Sequence, residues 1–600
     1  MNKFLNQFKS VTSYYKLLYK LSSIPSIKIN YVILFTFILI FSAFFEISLL
    51  GFLYVLLKAF IDPNYYQGNF LFKFFLDFFN IKSNSELIFY LSIFFVFTCV
   101  VAGIIRILFL YLLFKFVCYF GNKITNICYQ KILYEDYINL YSKNTNDTLS
   151  IFQKMPIVNN SFFVTLLMLY NIFSFIFIFL ILLYIDFQIT LYASFAFIFF
   201  YSFVILIFKN KIYLNASIVS NEQVTNIKIL RETFNGFRDI IINNYQKFYN
   251  NLFQKSYSKL IKGNEENRFL YAAPRPILDT FLLSGIGIII SLNSENYSSL
   301  EKLIPVFAVI AVASQRILPI LNQLYSGHMG NVDATPHTNF ILNFLKNPPL
   351  IKNKKINKPI KFKNVISLKN ITFSYDSKNE NQVLRDVNLN IKYGSRIGII
   401  GKSGSGKSTL VDLILGLLEP TKGKILVDGN SLSERKNSWY KNVASVPQNI
   451  FITEQSIAEN IAFGEKIRNI NFKELKDSAE KAQISNFIED RKYKYRSLIG
   501  EKGLKISAGQ RQRIAIARAL YKKSKLIVFD EGTSSLDSNS EKNILKTIFS
   551  LNRKKYTVIL VSHKISNLKK CDYIYKIYRC KIQHQGYIDT IKKKQLCLCE

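Results

Sequence analysis

The stretch Arg396-Ile-Gly-Ile-Ile-Gly-Lys-Ser-Gly-Ser-Gly-Lys-Ser-Thr409 joins a short apolar run to a glycine-rich loop, and an apolar helical pattern follows it. This order of strand, loop and helix is the setting of a P-loop, in which glycines let backbone N–H groups surround phosphate oxygens. The N-terminus of the following helix favours the same negative charge. Lys407 would reach the β- and γ-phosphates and Ser408 would bind Mg²⁺, so ATP and Mg²⁺ are the expected cofactors. The residues predicted to bind the nucleotide here are Gly401, Ser403, Gly404, Ser405, Gly406, Lys407, Ser408 and Thr409.

A second apolar run, Lys525-Leu-Ile-Val-Phe529, predicts a strand that ends at Asp530-Glu531. Asp530 is suited to the magnesium shell, and Glu531 is suited to orienting or deprotonating the attacking water. By itself, an acidic pair after a strand is more typical of a helix cap. Its place downstream of a P-loop in the same domain favours the catalytic interpretation.

The composition bears on the partners of the chain. Its 600 residues include 77 Lys and Arg against 40 Asp and Glu, a formal net charge of +37. Such basicity is typical of nucleic-acid binding, but half of the residues are hydrophobic, only 20% are charged and the mean hydropathy is +0.16. This combination favours membrane spans with lysine-rich cytoplasmic flanks, so no nucleic-acid partner is expected. The seven cysteines predict no oxidised framework, and Cys597 and Cys599 lack further metal ligands at a suitable spacing.

Six apolar stretches are each long enough to cross a bilayer as a helix. They cover about 31–60, 87–120, 162–185, 188–208, 271–292 and 302–325. The first stretch is too long for a removable signal peptide. Ten Lys and Arg residues lie between Phe208 and Arg268, so the positive-inside rule places this loop and both termini in the cytoplasm. Between the first two spans, Phe70–Phe79 predicts either an interfacial helix or a hydrophobic loop packed on the bundle.

The predicted fold class is a membrane α-helical bundle followed by a cytoplasmic α/β P-loop domain. We assign residues 1–330 to the membrane part, which includes long cytoplasmic helical extensions near 121–161 and 209–270. Residues 331–360 form a linker, and residues 361–600 form the cytoplasmic domain, in which short strands alternate with helical patterns.

Ile506-Ser-Ala-Gly-Gln510, which runs into a helical pattern, resembles the signature sequence of ATP-binding cassette (ABC) ATPases. In that family the signature serine and the amides after it hold the γ-phosphate from the partner subunit. The resemblance therefore implies that Ser507, Gly509 and Gln510 contact nucleotide. Ala508 stands where the family usually has glycine, and its methyl group implies a tighter approach and weaker closure on ATP.

Further motifs extend this resemblance across the whole cytoplasmic domain. Tyr375 matches the aromatic residue that stacks on adenine, and Gln448 matches the Q-loop glutamine that senses magnesium and the membrane domain. His563 matches the switch histidine, which assists hydrolysis together with Glu531. Ser534-Ser-Leu-Asp537 matches the D-loop, which places Asp537 near the nucleotide.

Six spans and one such domain resemble a half-size ABC exporter, and Gly500-Glu-Lys-Gly503 resembles the exporter loop that contacts the membrane domain. One P-loop and one signature per chain imply that two chains join head-to-tail, with ATP between Lys407 and Ser507 of opposite chains. Both halves of the site are intact, which favours a homodimer. A heterodimer with one degenerate partner is the alternative. Closure is expected to act through the extensions near Tyr134–Asn144 and Gly236–Asn243.

Arg106, Arg275 and Arg316 stand in or near apolar spans, where a charge should face a cavity or a partner. Together with Phe44-Phe-Glu46 and Ala273-Pro-Arg-Pro-Ile-Leu-Asp279, they resemble the bacterial lipid-linked oligosaccharide flippases of the protein-glycosylation type. This likeness implies that a basic belt attracts the pyrophosphate of a polyprenyl-linked glycan, although Gln323 stands where another basic residue would strengthen it. The alternative is that the arginines snorkel or pair structurally, for example with Glu46 or Asp279.

The sequence thus predicts an ATPase coupled to transport, which flips a lipid-linked glycan across the bacterial inner membrane with its ATPase domain in the cytoplasm. The alternative is a multidrug or lipid A-type exporter, which would share every ATPase motif without needing the arginines. A soluble ABC protein acting on ribosomes would carry two cassettes and no spans. A non-catalytic gate or channel would not need Glu531.

Overall fold

The computed structural model of the protein describes residues 29–61, 84–142, 145–185, 187–280, 284, 297–346, 360–375, 382–500, 506–530 and 538–586. Several predicted features lie outside these residues, namely Phe70–Phe79, Glu531, Ser534–Asp537 and the two terminal cysteines. The chain divides into two compact units, of which the first contains Met1–Glu135 and Lys143–Leu350 and the second contains Asp136–Ser142 and Ile351–Glu600.

The described part of the first unit is helical. Its helices are α1 (Ile29–Ile61), α2 (Asn84–Leu133), α4 (Thr145–Ile185), α5 (Phe187–Asn235), α6 (Phe237–Ile242), α7 (Gln246–Ala272) and α8 (Tyr297–Leu345). The 50 residues of α2 span about 75 Å at 1.5 Å per residue, well beyond the roughly 30 Å of a bilayer core. A straight helix of this length is longer than one bilayer core is thick, and the cytoplasmic position of its polar part stays a prediction.

Three described helical segments are long and apolar enough to cross a membrane, namely Ser85–Leu133, Asn146–Leu183 and Phe199–Asn235. In the most apolar part of the first segment only 11% of the residues are buried, which suits contact with lipid. The apolar segment Thr36–Phe45 is shorter. Much of the predicted spans 271–292 and 302–325 lies outside the residues whose side chains are described.

Close aromatic packing joins these helices. Phe120 of α2 stacks on Phe162 of α4 with ring centroids 3.8 Å apart. Gly121, the next residue of α2, leaves room for the Asn159 side chain of α4, because a Cβ there would lie 2.5 Å from Asn159 Oδ1. Ile341 of α8 is fully buried in the same cluster.

The second unit contains the cytoplasmic α/β domain and the short helix α3 (Tyr137–Ser142). The strands of the domain are β1 (Val365–Ser374), β2 (Gln382–Lys392), β3 (Arg396–Gly401), β4 (Lys422–Val427), β5 (Asn430–Ser431), β6 (Val443–Val446), β7 (Leu526–Asp530), β8 (Thr557–Val561), β9 (Tyr573–Tyr578) and β10 (Lys581–Gly586). Its helices are α9 (Lys407–Leu415), α10 (Lys436–Trp439), α11 (Ile457–Ile461), α12 (Phe472–Lys481), α13 (Ser485–Glu489), α14 (Ala508–Tyr521) and α15 (Ser538–Ser550).

Two sheets organise this domain. The first is antiparallel in the order β2-β1-β4-β5, and the second has the order β10-β9-β3-β8-β7-β6. In the second sheet the strands from β9 to β6 are parallel, so their carboxyl ends share one edge. The apolar runs predicted as strands are β3 and β7, and both are almost entirely buried.

Candidate functional site

The glycine-rich loop after β3 has the backbone that phosphate binding requires. Gly404 and Gly406 have φ of +77° and +97°, in the left-handed region that glycine tolerates best. Gly406 is the N-cap of α9, so the loop leads directly into a helix N-terminus. A Cβ on Gly406 would lie 2.9 Å from the Val383 carbonyl oxygen, so a larger residue would displace the loop.

Lys407 lies across this loop. Its side chain is almost fully buried, and its Nζ donates to the carbonyl oxygens of Gly401 and Lys402 at 3.1 Å each. A buried ammonium held by carbonyls next to a helix N-terminus gives the loop a net attraction for phosphate. The predicted roles of Lys407 and of the loop glycines fit this geometry.

The second sheet brings four predicted groups to one edge. The P-loop follows β3, Asp530 ends β7, Gln448 comes two residues after β6, and His563 comes two residues after β8. These four strands are parallel neighbours in the order β3-β8-β7-β6. Ligands of open α/β sheets bind at the carboxyl edge of the strands, so this edge is the candidate ATP site.

A cavity of about 360 Å³ lies within the second unit beside the P-loop helix. Ser408, Asp530 and Tyr375 line it, and the Tyr375 hydroxyl lies 3.2 Å from Thr409 Oγ1. Ser408 and Asp530 offer the oxygen donors that Mg²⁺ prefers. Among the described residues, no group of three or more His, Cys, Asp or Glu side chains could hold a metal.

Asp412 is a further carboxylate in the lining of this cavity that the sequence did not single out. Burial, and secondly the charge of Asp530, raise the pKa of Asp412 to about 6. A bound cation would offset the repulsion between the negative charges of Asp412 and Asp530. Asp412 lies one turn after Ser408 on α9, and this position was the only signal in the sequence that could have indicated Asp412.

The helix α3 also lines the cavity. Tyr137 and Ile138 are among its lining residues, and Ile138 packs against the apolar core of the cassette domain. Helix α3 lies inside the predicted coupling stretch Tyr134–Asn144. The second predicted stretch, Gly236–Asn243, contains the short helix α6.

The signature segment forms the start of α14. Ser507 is the N-cap of this helix, its Oγ accepts from the Gln510 backbone N–H at 3.2 Å, and the Gln510 side chain accepts from the Ser507 N–H at 2.8 Å. This capping box satisfies two amides that a helix start leaves free. Ser507 and Gln510 do not line the P-loop cavity of their own chain.

A buried network, which sequence reasoning missed, ties the segment after Gln448 to α14. Asn460 is fully buried; its Oδ1 accepts from the Thr453 N–H at 2.9 Å, and its Nδ2 donates to the Thr453 carbonyl at 3.0 Å. Arg518 Nε donates to the Asn460 carbonyl at 2.8 Å, and Arg518 Nη1 donates to the Phe451 carbonyl at 3.1 Å. The only local signal is the capping box of Ser456 and Glu459 just before Asn460.

In the first unit, a cavity of about 290 Å³ lies between α2, α4 and α8. Its lining residues are Arg106, Phe109, Leu110, Leu167, Tyr170, Asn171, Ser174, Pro319, Ile320 and Gln323. Asn171 Nδ2 donates to Gln323 Oε1 at 2.9 Å. Arg106 and Gln323 thus share one cavity, although they lie on different helices.

The other two candidate arginines are placed differently. Arg275 is 59% exposed at its side chain, and its Nε lies 3.9 Å from Asp279 Oδ2, which is the structural pairing considered as an alternative. Arg316 lies in α8, but its side chain is outside the described residues. The described structure therefore places Arg106 in a cavity and Arg275 beside a carboxylate.

Comparison with known proteins agrees with the fold described for both units. The ABC transporter family profile matches residues 384–534. The chain is 40% identical over 231 residues to the ATP-dependent lipid A-core flippase of Wigglesworthia glossinidia brevipalpis, which covers 38% of this chain and 39% of that protein. It is 30% identical over 378 residues to the heterocyst differentiation ATP-binding protein HepA of Nostoc sp., covering 61% and 59%. It is 37% identical over 245 residues to ATP-binding cassette sub-family B member 5 of Mus musculus, covering 40% and 19%.

The chain spans less than two thirds of the length of these curated relatives. Among solved structures, that of a bacterial Atm1-family ABC exporter with ATP bound superposes with a TM-score of 0.75, at 16% identity, over 94% of this chain and 96% of that chain. This likeness is one of fold, and it extends over the helices as well as the cassette. Residues 384–534 thus match the ABC transporter family, and the chain has the fold of an ABC exporter.

Proposed function

We propose that this protein is an ATPase whose hydrolysis of ATP drives the outward movement of a phosphate-bearing lipid across a membrane. The cassette domain supports the ATPase activity, because the P-loop, Asp530, Gln448 and His563 meet at one edge of the sheet. The exporter fold and the three described apolar helices support transport. The bacterial inner membrane, with the cassette in the cytoplasm, is the proposed location.

In this proposal the P-loop and Lys407 bind the phosphates of ATP, while Tyr375 stacks on adenine. Ser408 and Asp530, which line one cavity, would hold Mg²⁺, and Gln448, two residues after β6, would sense the metal. The metal neutralises charge on the phosphates when it is bound. Glu531 acts on the attacking water and His563 assists it, while Asp537 lies near the nucleotide.

The working unit is proposed to be a homodimer. The α14 N-terminus, with Ser507 as its cap, does not line the P-loop cavity of its own chain. A second chain would supply Ser507, Gly509 and Gln510 to the γ-phosphate. Closure of the two cassettes would then move the membrane helices through α3 and α6.

The proposed substrate is a polyprenyl-pyrophosphate-linked oligosaccharide or a related lipid-linked glycan. One observation carries this proposal: Arg106 lines a largely apolar cavity between three helices, together with the polar side chains of Asn171, Ser174 and Gln323. A guanidinium in a membrane segment is costly, by about 2.5–3.5 kcal/mol on insertion scales, and usually marks a substrate pathway. Its planar array of N–H donors matches the oxygens of a phosphate group.

The test is reconstitution of the full-length protein in proteoliposomes with a labelled polyprenyl-pyrophosphate glycan. ATP should change the side of the bilayer on which the label is accessible, and Glu531→Gln should abolish both ATP turnover and this movement. Arg106→Gln should raise the half-saturating substrate concentration about 10- to 100-fold, because a hydrogen bond to a charged group contributes about 1.5–3 kcal/mol.

Arg275→Gln is the matched control for Arg106→Gln. Because Arg275 is exposed and lies beside Asp279, its substitution should change the half-saturating concentration less than threefold. ATP turnover by the wild-type protein without any movement of the labelled lipid would refute the proposed substrate.

A second candidate is a lipid A-type exporter. Two similar bacterial proteins favour it, namely the ATP-dependent lipid A-core flippases of Wigglesworthia glossinidia brevipalpis and Pasteurella multocida. Lipid A also carries phosphate, so Arg106 would serve it equally well. Competition between labelled glycan-linked lipid and lipid A-core in the same proteoliposomes separates the two. The substrate that is moved with the higher kcat/KM is the physiological class.

A further inference from the structure

The cavity that Arg106 lines also contains neutral polar side chains, in addition to the guanidinium that would bind a phosphate. Asn171 and Ser174 lie one turn apart on α4 and are each only 2% exposed, and Gln323 reaches the same cavity from α8. The Oγ of Ser174 has no hydrogen-bond partner among the described residues. A buried hydroxyl without a partner is unfavourable unless a ligand or water satisfies it.

The hydrogen bond between the two amides determines what they still offer. Asn171 Nδ2 donates to Gln323 Oε1 at 2.9 Å, which uses one donor of Asn171 and an acceptor site of Gln323. Asn171 Oδ1 is left as an acceptor, and Gln323 Nε2 is left as a donor. With the Ser174 hydroxyl, the cavity thus presents neutral donors and acceptors next to a guanidinium.

The lining residues also limit the charge and the size of a ligand. Arg106 is the charged side chain among the described lining residues, and none of these is a carboxylate. A guanidinium disfavours a lipophilic cation and favours a ligand that carries an anionic group. Its volume of about 290 Å³ corresponds to about ten waters and to the lower end of small-ligand sites. This space suits one phosphate and one ring, and is too small for a whole oligosaccharide.

An aromatic pair forms the apolar wall. Phe109 of α2 and Tyr170 of α4 stack with ring centroids 4.7 Å apart, and both line the cavity. Such a wall suits the C–H face of a sugar ring, while the polar side chains suit its hydroxyl or acetamido groups.

We propose that this cavity is a glycosyl-phosphate subsite in which Arg106 binds the phosphate and Asn171, Ser174 and Gln323 recognise the first sugar attached to it. The proposal rests on the proposed function and adds a specificity to it. The subsite distinguishes a glycosylated phosphate lipid from the same phosphate lipid without a sugar. The sugars beyond the first one are not recognised here.

The experiment measures equilibrium binding to the full-length protein in nanodiscs without nucleotide. Two probes are compared, farnesyl phosphate and farnesyl phosphate that carries one N-acetylhexosamine on the phosphate. The wild-type protein should bind the sugar-bearing probe roughly tenfold or more tightly than the sugar-free probe, because two or more neutral hydrogen bonds are added. Gln323→Leu and Ser174→Ala should each reduce this preference by about three- to tenfold.

Two controls identify the cause of any loss. Arg106→Gln should weaken both probes by a similar factor and keep the preference for the sugar. Ser92→Ala on α2 should change neither affinity, because the Ser92 hydroxyl donates to the Ile88 carbonyl of its own helix at 2.8 Å. An unchanged affinity of Gln323→Leu and Ser174→Ala for farnesyl phosphate shows that these variants are folded.

Equal affinity of the wild-type protein for both probes would overturn the subsite, and so would an unchanged preference in Gln323→Leu and Ser174→Ala. Transport in proteoliposomes separates this failure from a failure of the proposed function. If both probes are moved with ATP but without preference, the subsite is wrong and the function stands. If neither probe is bound or moved, the proposed function is wrong and the subsite is wrong with it.

Discussion

Replacement of Asn460 by alanine should loosen the segment between Gln448 and α11 without unfolding the cassette. The Asn460 side chain holds the Thr453 N–H and carbonyl at 2.9 and 3.0 Å and also donates to the Gln455 and Ser456 carbonyls at 3.3 and 3.1 Å. Because Asn460 is fully buried, water cannot readily replace these bonds.

The magnitude follows from the groups that lose their partner. Leaving a buried donor or acceptor unsatisfied costs about 1–3 kcal/mol, and Asn460→Ala leaves at least the Thr453 N–H and one carbonyl in this state. We therefore expect a local destabilisation of about 2–4 kcal/mol. Hydrogen exchange of amides that open locally would then accelerate about 30- to 700-fold.

The assay is hydrogen exchange followed by mass spectrometry on the full-length protein, with peptides that cover 449–457. Asn471→Ala is the matched control, since Asn471 is the N-cap of α12 and its side chain accepts from Lys473 and Glu474. It should accelerate exchange only at the start of α12, and by about fivefold, because a lost cap costs about 1 kcal/mol. Unchanged exchange at 449–457 in Asn460→Ala would show that Asn460 does not hold this segment.

Three further predictions concern the cassette. Gly406→Ala should lower nucleotide affinity at least tenfold, whereas Gly404→Ala should lower it less. Both glycines have positive φ, but of the two only Gly406 would place a Cβ against neighbouring atoms. Titration with a fluorescent ATP analogue compares the two variants, and equal losses of affinity would contradict this account. Ser507→Ala and Ser456→Ala each remove a capping box and should each cost about 1 kcal/mol of local stability, but only Ser507→Ala should also abolish most ATP turnover. Burial raises the pKa of Cys571 to about 12, so little thiolate forms at pH 8 and iodoacetamide should label Cys571 only after denaturation, as peptide mass mapping would reveal.

Sequence alone was sufficient for the elements around the nucleotide because local patterns specify them. The predicted strands Arg396–Ile400 and Lys525–Phe529 match β3 and β7 to within one residue. The Asn460 network could not be predicted in the same way. Arg518 lies 58 residues from Asn460 along the chain, and this contact arises only when α11 and α14 pack together.

In the helical unit, hydropathy predicted the apolar segments better than the helix ends. The helices continue into the polar sequence near 121–161 and 209–270. Interruptions of the helices occur there at positions where the hydrophobicity of the sequence does not change. Gly236 precedes α6, and Asn244 adopts a φ of +56° before α7. Asparagine tolerates this left-handed conformation better than most residues, so a single polar residue ends one helix and directs the chain into the next.

Ala508 also has an effect on its own helix, and this effect opposes the one predicted from the sequence. The sequence suggested that a methyl group in place of glycine would hinder closure on ATP. Ala508 is the first residue of α14, directly after the Ser507 cap, and alanine favours a helix over glycine by about 1 kcal/mol. Its backbone N–H is the same donor that glycine would offer, so no hydrogen bond to phosphate is lost. A helix start that is better ordered before the partner arrives reduces the entropy lost on closure. Ala508→Gly should therefore weaken, rather than strengthen, ATP-driven dimerisation, and sedimentation of the Glu531→Gln background with and without Ala508→Gly would measure the sign.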